Sequence, residues 1–502
     1  MVQQAALPLK YEASKTSGAT AFAGLPLYLE LSQVVGLREL VEQHMAARGD
    51  GQGWQDADVI TALVLLNLAG GDHVSDLELL RRDEGFVRVL REVACAGLPR
   101  QQRRAKMRLM AKAGDVPLPS ASAVFRFLQS FHGKDQDVER EPGTAVIVPE
   151  HARLQGLWQV VAGLMAVMQQ HRPLAKATLD GDATLIETHK ATALHCYKKY
   201  KAYQPLNFYV AEWDMVAYSQ FRDGNVPCGF RQLDALKRAL ELLPADIEQV
   251  RLRMDTQGYE WELLRYLAEG TNPRFGVIEF AVGADVTPEL KREVGKLRQE
   301  QWQDLPREPG QVAQQWAEVC YVPNASATKK DGPQYRFLVT REVLAQQPLP
   351  GAQLDLPFPT MQFDTLGTCK LHAVVTNRQL DGAELIAWYR KRCGKSEEAH
   401  AVMKTDLAGG TLPSGDFGNN AAWWTIMLLA FNLNTLMKRL ALGAEFIDSR
   451  IKTVRRHVIC VAARVVEHAR QVVVRLSSGH PSTALIQDVR GRILALAPAS
   501  SG

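Results

Sequence analysis

The hydrophobic period changes at Pro173, and that change constrains the fold more than any other feature of the chain. Before it, residues 153–170 set Leu154, Leu157, Val160, Val161 and Leu164 on one broad face at helical spacing. After it, Leu179, Gly181, Ala183 and Leu185 alternate with Asp180, Asp182 and Thr184, the spacing of a strand with one buried face. Two aspartates on the polar face of such a strand make a candidate site.

The elements that follow fit one layer. Residues 206–213 and 216–221 read as strands ahead of the turn Asp223-Gly224-Asn225, and 230–243 as an amphipathic helix. Residues 250–255 form a strand ending in Asp255, followed by Gly258 and a helix at 261–268. Strand, strand, strand, helix, strand, helix predicts a mixed α/β layer with an antiparallel start and a crossover connection. Strands at 275–282, 316–322, 335–340 and 370–375, with one helix at 288–301, predict a β-rich insertion. Asp381 opens a further helix, broken near Cys393-Gly394, and a long apolar helix spans 420–442. A basic, helix-like stretch at 450–470 follows, and the tail after Pro481 carries little signal.

The N-terminal part reads as all-helical from 28 to about 98, broken at Gly70-Gly71-Asp72 before a short helix at 74–82. Residues 100–112 hold Arg100, Arg103, Arg104, Lys106, Arg108 and Lys112 without one acid. Such a run repels itself in a compact core but releases counterions against phosphates. Pro119-Ser120 then starts a helix in which Arg126 stands among Val124, Phe125, Phe127 and Leu128. A DNA-binding unit using Arg103, Arg104, Arg108 and Arg126 and an ordinary basic face of a helical bundle both fit. Residues 139–149 read as a linker. The expected division is 1–150 helical DNA-binding region and linker, 151–275 first part of a catalytic domain, 276–380 β-rich insertion, 381–442 second part, and 443–502 basic helical C-terminal region.

Composition excludes several classes. Among 502 residues, 46% are hydrophobic and 23% charged, as in a folded protein. No apolar run reaches the roughly 20 residues that span a bilayer, and the first ten residues lack a secretory pattern, so the cytosol is expected. Seven cysteines without a Cys-x-x-Cys pair suggest reduced thiols and no zinc.

Three acids on different elements carry the chemistry. Glu397, His400 and Lys404 stand at i, i+3 and i+7, one helical stripe, and a solvated face is the plain alternative. Asp182, Asp255 and Glu397 come from strand, strand and helix. Two-metal phosphoryl transfer needs carboxylates from separate elements to hold two cations about 4 Å apart.

At these residues the chain resembles the group 1 DDE transposases encoded by bacterial insertion sequences, whose catalytic domain carries a β insertion before the last acid. The likeness covers roughly 154–442. Its marks are Asp182-Ala183-Thr184, Met254-Asp255-Thr256-Gln257-Gly258, and Glu397-x6-Lys404 from the motif Tyr-x2-Arg-x3-Glu-x6-Lys. From Tyr389 or Arg392 to Glu397 the chain is one residue longer than that motif. The resemblance implies an RNase H-like core in which Asp182, Asp255 and Glu397 hold Mg²⁺, Mn²⁺ substituting, with Asp180 a further acid on the same strand face. It implies DNA contacts from Tyr389, Arg392 and Lys404, with His400 on the same stripe, and a base-stacking tryptophan, Trp302 or Trp316, against which stands the commoner role of a sheet tryptophan as core. It further implies cut-and-paste transposition: cleavage at terminal inverted repeats, 3′-hydroxyl transfer into target DNA, a homodimer in the synaptic complex, and a bacterial cytoplasmic, nucleoid-associated protein without membrane contact. A catalytically silent DNA-binding relic or regulator, and a nuclease of the same fold that cuts without joining, are the alternatives; the intact acid triad weighs against the first.

Overall fold

Alternating β-branched and aromatic residues build one large twisted sheet, and the helices close over both of its faces. The computed structural model describes residues 17–45, 53–96, 98–113, 116–138, 143–323, 335–345, 356–468 and 471–497. Among these, nine strands run edge to edge in the order Gln303–Asp304, Gln314–Val319, Arg336–Val343, Gly367–Thr376, Glu279–Ala284, Gln249–Met254, Lys176–Ala183, Leu206–Val210 and Met215–Gln220. Thr360–Phe363 adds a tenth against Gly367–Thr376. Gln249–Met254 lies parallel to both Lys176–Ala183 and Glu279–Ala284. The other pairings in this sheet are antiparallel.

The mixed α/β expectation therefore holds, including the crossover: helix Gln232–Glu241 carries the chain from the edge strand Met215–Gln220 to the far side of Lys176–Ala183. The strands expected as an insertion continue this same sheet, with Val375 opposite Val282 and Leu338 opposite Val374. Their inward residues explain why. Phe337, Val339 and Val375 share one apolar core with Leu179 and Leu252, while Leu338, Val374 and Trp316 pack on the other face beneath Leu385, Ile386 and Tyr389 of helix Gly382–Arg390.

Helix Phe417–Leu436 is apolar on every side and wholly buried, as expected of such a pattern. Several of its polar groups bond the sheet: Asn432 bonds both the N–H and the carbonyl of Val216 at 2.9 Å, and Trp424 Nε1 donates to Ser219 Oγ at 2.8 Å. The helices of the N-terminal part are not set apart from it. Asp56–Ala69 and Ala152–His171 lie against it, and Tyr28 donates to Asn434 at 2.8 Å. Of the expected linker, 139–142 lie outside the described residues and 143–149 form irregular chain. No single helix among the described residues is long and apolar enough to cross a membrane.

The C-terminal region departs from the all-helical expectation. Among the described residues of 450–470, the short helix Ile451–Val454 and a wide turn Arg455–Ile459 precede strand Ala463–His468, which pairs antiparallel with Gln471–Leu476 and also with Ala19–Thr20. Val465, Val466, Val472, Val473 and Val474 are β-branched, and the distant partner strand decides their state. The tail beyond Pro481 forms helix Ser482–Leu496, with Ile486, Val489 and Ile493 buried at helical spacing.

Candidate active site at the ends of two parallel strands

Strand register brings the aspartates together in two rows. Asp180 stands opposite Arg253 and Gly181 opposite Met254, so Asp182 and Asp255 come next, side by side where the two parallel strands end. That end of a parallel pair is where open α/β sheets bind ligands.

The lower row is closed. Arg253 grips Asp180 with two bonds, Nε to Oδ1 at 2.6 Å and Nη2 to Oδ2 at 2.8 Å, and its Nη1 donates to the Trp388 carbonyl at 2.7 Å. Both side chains are 3% exposed. Asp180, expected as a further metal residue, thus has both carboxylate oxygens committed to a buried ion pair.

The upper row is open. Burial pushes the Asp182 carboxyl up to about 7; Arg392 opposes this, and the charges of Asp255 and Glu397 add to it. Asp255 is raised by burial too, held back by Arg392 and by the Gln257 N–H, which donates to its Oδ1 at 3.0 Å. Arg392 reaches Asp182 Oδ2 at 3.6 Å from the turn 391–394, which links helices Gly382–Arg390 and Lys395–Ala401. Gly394 makes that turn at φ +80°, a conformation costly for other residues. Glu397 sits in the first turn of helix Lys395–Ala401, where its Oε2 accepts the Gly394 N–H at 2.7 Å.

The other expected site residues take varied places. His400 is buried behind Asp182, 4.0 Å from its Oδ2, and its Nε2 lies 3.2 Å from the amide of Asn207, the residue paired with Asp182 across the sheet. Burial first, then Lys404, lowers its pKa to about 4, so it is a neutral brace and not a surface DNA contact. Lys404 lies in the wide turn Val402–Asp406 and donates to the Leu185 carbonyl at 3.2 Å. Tyr389 is buried with its ring against His372, and its hydroxyl crowds Gly283, where a Cβ would come within 3.0 Å of it. Arg103 pairs with Glu92, whereas Arg104, Arg108 and Arg126 are exposed on helices Arg100–Ala113 and Ala121–Gln129.

Neither tryptophan is open to a base. Trp302 and Trp316 are each 6% exposed. The Arg341 guanidinium covers the Trp302 ring at 4.0 Å, and Trp316 fills the space over Gly382, where a Cβ would meet its ring at 2.0 Å. Sequence reasoning passed over Arg253 and Asn207. A signal for the first existed, since Arg251 and Arg253 alternate with buried Leu252 and Met254 as the aspartates alternate with Leu179 and Gly181.

Among the described residues, no three His, Cys, Asp or Glu side chains stand in the arrangement of a metal centre. The donor set nevertheless suits a hard divalent cation: carboxylate oxygens of Asp182, Asp255 and Glu397, with the first two strained by burial and mutual repulsion that such a charge relieves.

No curated protein sequence matches the chain. In fold comparison it aligns with the cryo-EM structure of piggyBac transposase in a synaptic complex with hairpin DNA, at 11% identity and a TM-score of 0.42, over 96% of this chain and 83% of that one. The pattern of the family described as transposase DDE domain group 1 matches residues 14–498. This protein belongs to that family and is a transposase.

Proposed function

We propose that the chain cuts DNA at the ends of a transposable element and joins the freed 3′-hydroxyl to target DNA, with Asp182, Asp255 and Glu397 as the metal-holding acids. The observation that carries this reading is the open upper row: two half-buried aspartates abreast at the strand ends, their like charges opposed, with the Glu397 helix beside them. The run of three antiparallel strands, Met215–Gln220, Leu206–Val210 and Lys176–Ala183, followed by two parallel ones supports an RNase H-like core. A divalent cation, Mg²⁺ with Mn²⁺ as substitute, supplies Lewis acidity at the scissile phosphate and at the attacking hydroxyl when bound.

The chain's own residues set the stage. Arg392 offsets the acid charge and keeps Asp182 from rising further, and Tyr389, buried beside it, fixes where the guanidinium lies. Asn207 braces the His400 ring, which stands 4.0 Å behind the Asp182 carboxylate. Lys404 stands where it can move from the Leu185 carbonyl to a DNA phosphate. Exposed Arg104, Arg108 and Arg126 suit flanking DNA, and two copies of the chain pair two element ends in a bacterial cytoplasm, at the nucleoid. The test is cleavage of a labelled duplex carrying the element's terminal repeat, with Mg²⁺, by wild type and by Glu397→Gln. Cutting should vanish while DNA binding persists, and strand-transfer products on the same gel report joining. A variant that cuts as well as wild type would overturn the assignment.

A further inference from the structure

Between Ala183 and Leu206 the chain leaves the large sheet and builds a small one, in the order Ile186–Glu187, Lys201–Tyr203, Leu194–His195. The excursion starts directly after the strand that bears Asp182 and returns at the strand bearing Asn207, so its foot is the candidate site. Its composition is lopsided: residues 184–205 hold Lys190, Lys198, Lys199, Lys201, His189 and His195 against a single acid, Glu187.

The inner side is anchored. Ile186, Ala193, Ala202 and Tyr203 are buried, and the Tyr203 ring stacks on Phe221 at 4.9 Å. Lys201 Nζ donates to the Ala191 carbonyl at 2.8 Å, tying strand to strand, and the Thr192 hydroxyl bonds the Gly415 carbonyl. The outer side is cationic and open. Lys198 and Lys199 are exposed, Tyr197 is 69% exposed, and Lys198 Nζ lies over the Tyr197 ring at 5.8 Å. A turn closed by Cys196 N–H to the Tyr200 carbonyl at 2.8 Å holds Lys199 at φ +67°, where glycine or asparagine is the cheaper residue. Among the described residues neither Lys198 nor Lys199 forms an ion pair. Lys404 meets the foot of this sheet at Leu185, where burial first, and then the charge of Lys198, lowers its pKa. Cations therefore run from the exposed tip at Lys198 and Lys199 to Lys404 at the foot of the small sheet.

We infer that this small sheet is a DNA grip, with Lys198 and Lys199 contacting backbone phosphates of the strand led to the Asp182–Asp255 site. The inference rests on the proposed function for the identity of the polyanion. Such contacts position the duplex without reading its sequence.

The experiment uses the full chain and a fluorescent mixed-sequence duplex, titrated across roughly 50 to 200 mM salt. Lys198→Ala/Lys199→Ala should flatten the slope of log affinity against log salt by about 2 units, close to 0.9 per lost phosphate contact. Lys198→Arg/Lys199→Arg should keep the wild-type slope, which separates lost charge from a damaged fold. An alanine pair with wild-type slope and affinity overturns the inference. The two readings fail separately: a wild type that grips DNA through these lysines yet never cuts with Mg²⁺ defeats the proposed function alone. One that cuts while the alanine pair binds unchanged defeats the grip alone.

Discussion

Asp180 and Asp182 sit two residues apart on one strand, on one face, each beside the same neighbouring strand, yet their environments are opposite. Asp180 faces Arg253 and is sealed in a two-bond ion pair; Asp182 faces Asp255, with Arg392 at 3.6 Å as partial compensation. An acid opposite a base is closed and structural. An acid opposite an acid, both held above their usual range by burial, is a site with charge left to satisfy. The sheet's period of two places both rows on one face, and the identity of the facing residue separates cement from chemistry.

The comparison can be broken most severely at the upper row. Asp182→Asn should cut DNA on the order of 10³-fold more slowly or worse while melting no earlier than wild type, because a neutral amide removes the repulsion. A variant that is active, or inactive only because it unfolds, would erase the distinction; gel assays beside thermal melts decide. At the lower row, Asp180→Ala leaves Arg253 buried without its partner and should cost about 3 to 5 kcal/mol of stability. Asp180→Leu/Arg253→Met should recover most of that loss in denaturant melts.

A third outcome concerns the cationic side. His372, its ring tilted against Tyr389, is pushed down from 6.5 to about 4 by burial and by Arg390, Lys370 and Arg392. Below pH 6.5 the unfolded chain binds a proton that the folded chain refuses, so this contribution is full above 6.5 and is lost as pH falls toward 4. His372→Phe should therefore soften the acid side of the stability curve by about 3 kcal/mol at most, read as a difference from wild type. Taking the difference matters because Asp182, raised from 3.8 to about 7, works in the opposite sense, favouring the fold at the acid end of the same window. The smallest effect is expected at Arg392→Gln, which leaves the acids in place but strips their compensation. Cutting should fall by about 10- to 100-fold, the usual cost of losing a residue that supports a metal ligand.

Much of this arrangement was legible in the chain. The alternation around Asp182 and the strand ending at Asp255 were readable, and the structure sets the two acids abreast, because a buried strand face leaves a strong local pattern. The break at Cys393-Gly394 was visible as well, since Gly394 adopts a conformation that favours glycine. What stayed hidden depended on partners distant in sequence. Nothing local to Asp180 announces Arg253, 73 residues away, and nothing in the valines at 472–474 announces a hairpin completed by Ala19–Thr20. Trp302 and Trp316 fit the commoner core role, whose partners the sequence hides for the same reason: an aromatic in a strand looks alike whether it meets a base, Arg341 or Gly382. His400 kept its helical spacing but was turned inward by Asn207.

The most direct test of the distinction between the two rows is Mn²⁺ binding, followed by electron paramagnetic resonance on the full chain. Wild type and Asp180→Leu/Arg253→Met should bind the ion alike, and Asp182→Asn should lose it while remaining folded. An Asp182→Asn protein that binds Mn²⁺ as wild type does, or a folded double variant that no longer binds it, would contradict the account and move the site away from the upper row.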